Sequence, residues 1–220
     1  MKLLRTSLAR AIWMIDSEII APEGRSFWEF YQALAKRYHF AKFPQHLMDF
    51  NSNNALEFTA GTFVKSKKMH LRVGLAIYNN AIVADALSST DDANQFLADI
   101  SQWAAKEFDI LLDSGLVRKT YLSQVDVKFD SLANVANPKL DFVVDRLNSE
   151  VVPFGGKKVP FGLGGLTFWT EDIHTPQGQT FKLEHKHETE FTEHIYYSVA
   201  PLQTQQHITL LEDIEKALKN

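Results

Sequence analysis

The chain has 220 residues, 45% of them hydrophobic, with 23 Lys or Arg against 27 Asp or Glu, a formal net charge of −4. That balance excludes a broad electrostatic pull toward nucleic acid or anionic lipid and leaves room only for a local basic patch. The absence of cysteine excludes disulfides, thiolate metal sites and a Cys nucleophile, and fits a reducing cytosol.

Length and apolar content suit one globular domain over residues 1–220. Sixteen Phe, four Trp and six Tyr supply aromatic area for a packed core. No apolar run approaches the roughly 18 residues of a membrane span, so no membrane partner and a cytoplasmic location are expected. The basic start, from Met1 to Trp13, reads as the first element of the fold, with an organelle transit peptide as the alternative.

Residues 3–20 fit two periods. Leu4, Leu8, Ile12, Ile15 and Ile19 suit a helix, whereas Ala11 to Ile20 suits a strand. Pro22 and Gly24 break the chain. A helix follows, with Ser26 and Glu29 at capping-box spacing and a stripe of Phe27, Phe30, Tyr31, Leu34 and Tyr38. Residues 56–64 and 69–78 read as strands. Asn79-Asn80 is a hairpin turn, and Ile82 to Leu87 returns antiparallel. Residues 88–92 start a second helix, with Asp91 and Asp92 in its first turn and Phe96, Leu97, Ile100, Trp103 and Ala104 inward.

Tyr121 to Phe129 is a strand. Asn137-Pro138 opens a short helix through Leu140, Val143, Val144 and Leu147. Residues 152–165 form a glycine-rich loop. Leu166 to Trp169, Thr180 to about Thr189, and Ile195 to Val199 are strands. Thr204 caps a final helix with Ile208, Leu211, Ile214 and Leu218 on one side. Hairpins without regular alternation of helix and strand predict an α+β fold, with an antiparallel or mixed sheet and four to five helices against it.

Three segments carry candidate chemistry. In Phe181 to Phe191 the alternation puts His185 and His187 where apolar residues would stand. Two such imidazoles, with Glu193 and His194 or with the distant His174 and His207, make a transition-metal set. The spacing is similar to the His-x-His of cupins. The glutamate spacing differs, the second cupin motif is absent and the helix content is too high for a β-barrel, so that family is not carried over. The loop from Val152 to Gly165 offers Phe154, Lys157, Lys158 and Phe161 to a partner, and lacks the Walker spacing. Lys65, Lys67, Lys68 and Arg72 form a basic cluster that could touch a nucleic-acid backbone or protect a strand edge.

No nucleophile elbow, HExxH, EF-hand or kinase pattern is present, and no cofactor is expected. The leading expectation is a non-enzymatic protein-interaction or regulatory module, acting as a homo-oligomer or a subunit of an assembly. Its partner would be protein, self or another subunit, with nucleic acid an unlikely partner. A transition-metal-dependent enzyme or sensor using the His-x-His pair comes second, and a nucleic-acid binder third.

Overall fold

The first strand, β1 (Lys2–Met14), resolves the double period of the N-terminal segment. Ala9, Ala11, Trp13 and Ile15 are buried while Arg10 and Ile12 are half-exposed, the two-residue alternation of a strand with one covered face. The computed structural model describes residues 1–15, 27–45, 55–78, 80–112, 117–130, 141–150, 161–170 and 180–219. After β1 come α1 (Phe27–Arg37), β2 (Leu56–Ser66), β3 (Met69–Tyr78), β4 (Ala81–Ala86) and α2 (Thr90–Phe108). Then follow β5 (Arg118–Lys128), α3 (Asp141–Glu150), β6 (Gly165–Phe168), β7 (Phe181–His185), β8 (Ile195–Ala200) and α4 (Thr204–Lys219).

The fold is α+β, an eight-stranded antiparallel sheet with four helices among the described residues. The strand order is β2-β3-β4-β1-β5-β8-β7-β6. The element order β-α-β-β-β-α occurs twice, from β1 to α2 and again from β5 to α4. Within each half the fourth strand lies beside the first, β4 beside β1 and β8 beside β5. The repeat is architectural, with no matching repeat in sequence.

Contacts gather into two compact units. One comprises Thr6–Gln124 with Pro201–Gln206. Its core is aromatic: Phe30 stacks on Trp103 at 5.7 Å, Tyr38 meets Phe96 edge-on at 4.9 Å, and Phe40 lies 5.4 Å from Phe58. Gly61 sits at a β2 bulge, where an added Cβ would fall 2.4 Å from the buried Phe40 ring. Helix α2 starts as its sequence demands, with the Ser89 hydroxyl accepting from the Asp92 N–H at 3.1 Å and acids in the first turn. Ser26, the expected cap of α1, lies outside the described residues.

The other unit comprises Met1–Arg5, Val125–Ala200 and His207–Asn220. Val125, Val127, Phe129, Leu183, Tyr196 and Leu211 form its core. Strand β7 stops at His185 rather than running to Thr189. Glu188 adopts φ 66°, and the Thr189 hydroxyl donates to the Lys186 carbonyl at 2.7 Å. That turn ends the ladder. The buried line of α4 is Thr204, His207, Leu211 and Glu215, so three polar residues share it with Leu211. No helix among the described residues is long and apolar enough to cross a membrane.

Candidate nucleic-acid interface

Strands β2 and β3 form a hairpin in which Ser66 pairs with Met69, leaving Lys67-Lys68 as its two-residue turn. Phe63 and Val73 are buried, whereas Val64 (55% exposed), Met69 (47%), His70 and Arg72 face solvent. From Phe58 to Ala84 the chain has no acidic residue, so the hairpin cannot neutralise its own cations. One of the four is neutralised from outside: Lys65 Nζ reaches Asp92 Oδ1 at 2.5 Å, beside the N-terminus of α2. Burial pushes the Asp92 carboxyl up, but the hydrogen bond from Lys65 and those of the helix start hold it below the usual carboxylate range. Lys67, Lys68 and Arg72 have no carboxylate partner among the described residues. Strand β2 is also the edge of the sheet, so the tip is reachable from outside.

The expected metal set is spread out. The His185 ring stacks on Phe191, with centroids 4.1 Å apart and planes 8° from parallel. His187, past the end of β7, has a side chain 95% exposed and stands 3.8 Å from Glu188. Glu193 turns back onto the Glu190 N–H at 3.2 Å, closing a short 3-10 turn over Phe191–Glu193. Among the described residues no three His, Asp or Glu side chains stand close enough to hold an ion. Of the glycine-rich loop, Phe154, Lys157 and Lys158 lie outside the described residues. Phe161 is 42% exposed and its N–H donates to Asn148 Oδ1 at 2.6 Å.

One constellation had no sequence signal. Ser198 Oγ lies 2.9 Å from His207 Nε2, and both residues are fully buried. The pair looks like a nucleophile and its base, but its polarity is reversed. The hydroxyl proton goes to the Lys182 carbonyl at 2.8 Å, so Nε2 must carry the imidazole proton and donate it to Oγ. That leaves Nδ1 as a bare acceptor, buried without a partner. Burial lowers the His207 pKa to about 4. A serine whose proton points away from the histidine, out of reach of any substrate, is not activated. The pair pins α4 to β8.

The chain matches no family model and no curated protein. Among solved structures it is similar to the TBP of Methanococcus jannaschii, a TATA-binding protein, with TM-score 0.48 and 11% identity over 99% of this chain and 97% of that one. Two expectations are corrected: the non-enzymatic protein-interaction or regulatory module acting as homo-oligomer or subunit, and nucleic acid as an unlikely partner. The net charge of −4 sums over the whole chain and hides a hairpin tip with no carboxylate of its own from Phe58 to Tyr78. The interaction expectation rested on aromatic richness, on strand edges and on a loop whose Phe154, Lys157 and Lys158 lie outside the described residues.

Proposed function

We propose that the β2–β3 hairpin binds nucleic acid by contacting backbone phosphates through Lys67, Lys68 and Arg72. The observation that carries this is the tip itself: three solvent-facing cations within six residues, without a carboxylate partner among the described residues. Paired cations gain little from a phosphate, because they must first leave their carboxylate. Free ones release condensed counterions at once. Lys65 is excluded from the contact by Asp92. Exposed Val64 and Met69 add apolar area beside the charges. Phosphate contacts position a protein without reading sequence, so binding is expected to be sequence-independent.

The test is fluorescence anisotropy with labelled duplex DNA and RNA, comparing the native chain with Lys67→Glu/Lys68→Glu. The native chain should bind in low salt and the double variant should lose at least tenfold in affinity, with circular dichroism unchanged. Equal binding by both proteins, or no binding by either, would overturn the proposal. In that case the lysines guard the edge strand against pairing with other chains.

A further inference from the structure

A groove of about 760 Å³ opens in the unit that contains β6, β7 and β8. Its position follows from strand alternation. Val125, Val127, Leu183 and Tyr196 point into the core with Leu211 of α4, so their neighbours Asp126, Lys182, Glu184 and Tyr197 point the other way and line the groove. Arg5 and Lys186 complete its charged wall.

Asp126 is the unusual member. It is 1% exposed. Its Oδ2 is met twice, by Arg5 Nε at 2.8 Å and by Lys186 Nζ at 2.6 Å. Its Oδ1 is buried with no hydrogen-bond partner. A buried carboxylate oxygen left unpaired is costly, and a donor from a ligand seated in the groove that Asp126 lines would remove that cost. The cations beside it have donors to spare. Arg5, with a side chain 63% exposed, touches Asp126 through Nε; its terminal nitrogens have no other partner among the described residues. Lys186 and Lys182, the latter 2.6 Å from Glu184, each have three N–H groups on one ammonium. The parallel His185–Phe191 pair also lines the groove and adds a flat aromatic element to it.

We propose that this groove binds a nucleotide. Its phosphate is held by Arg5 and Lys186, with Lys182 within the same wall, and a base N–H donates to Asp126 Oδ1. A lone buried acceptor beside spare cationic donors and a planar wall matches the N–H edge, phosphate and flat ring of that ligand. The volume lies within the range of small-molecule sites, about 300–1,000 Å³. Asp126 also acts as a positioning residue that holds both cations toward the phosphate. A free mononucleotide and one nucleotide unit of a single strand present the same chemistry. The site uses none of the hairpin residues and stands independently of the hairpin proposal.

The experiment is isothermal titration calorimetry at low salt on the Lys67→Glu/Lys68→Glu chain, which removes the hairpin contribution. Adenosine 5′-monophosphate, ribose 5-phosphate, adenosine and a short single-stranded oligonucleotide are titrated in turn. The monophosphate is expected to bind at least tenfold more tightly than either of its parts, and Arg5→Gln to cost at least tenfold. Binding of the oligonucleotide alone assigns the site to a strand, and binding of the monophosphate assigns it to the free nucleotide. Asp126→Asn should also abolish binding. If that variant fails to fold, the exposed Arg5→Gln and Lys186→Gln decide. No binding by any nucleotide at millimolar concentration would overturn the proposal. So would ribose 5-phosphate binding as tightly as the monophosphate, or Arg5→Gln and Lys186→Gln leaving affinity unchanged.

Discussion

His207 shows how a single buried group sets a pH limit. Its folded pKa near 4 lies below the ordinary 6.5 because the ring is sealed from water. Above 6.5 the imidazole is neutral whether folded or unfolded, and contributes no pH dependence. Below 6.5 the unfolded chain binds a proton that the folded one refuses, so stability falls with pH until the folded group titrates. Holding an imidazole near 4 instead of 6.5 corresponds to on the order of 3 kcal/mol. Urea denaturation at pH 7 and pH 4.5 should show most of that loss, and His207→Leu should flatten it. A native chain equally stable at both values would contradict this. Gly61 is constrained by volume instead. Gly61→Ala would drive a methyl into the Phe40 ring, which is packed between Tyr38 and Phe58, and overpacking of this kind costs about 1–3 kcal/mol. Thermal melts of the variant read the cost directly. Neither role had a sequence signal. A lone His in an amphipathic helix reads as surface, and a lone Gly in a strand does not say what approaches it.

The elements were more legible than their ends. Leu4, Leu8 and Ile12 are four apart, and a spacing of four suits both a helix turn and every second residue on one face of a strand. Pattern could not separate the two, and pairing with β4, Ala9 opposite Ala86 through Met14 opposite Ala81, did. In β7 the alternation continued past His185 in charged residues that bury nothing, so no hydrophobic gain extended the ladder through the turn at Glu188. Helices α2 and α4 meet at a contact with no sequence signature. The Thr90 N–H donates to Thr204 Oγ1 at 3.0 Å and the Thr204 N–H to Thr90 Oγ1 at 2.9 Å. Each threonine thus caps the other's helix start, and both are buried. Thr90→Val or Thr204→Val should each cost about 1–3 kcal/mol, because each strands one buried N–H. The double variant should differ from the sum of the singles, as expected for groups sharing one reciprocal contact. Strict additivity in a denaturation cycle would show that the two hydroxyls act separately.

At the scale of the molecule, the order β-α-β-β-β-α, twice, could be written down from the sequence once the first segment was read as a strand. The ambiguity of that one segment hid the duplication. The candidate interface was half legible. Consecutive basic residues are visible in any sequence, but Lys65 is neutralised by Asp92, 27 positions away, and only the folded chain separates that spent cation from the three free ones. The measurement that bears most directly on the central claim is the salt dependence of duplex DNA binding by the native chain and by Lys67→Glu/Lys68→Glu/Arg72→Glu. Three phosphate contacts predict a log–log slope near −2.7, or about a 40-fold loss of affinity between 50 and 200 mM salt. The triple variant should lose that slope along with the affinity. A native slope near zero, or a triple variant that binds with an unchanged slope, would contradict the account.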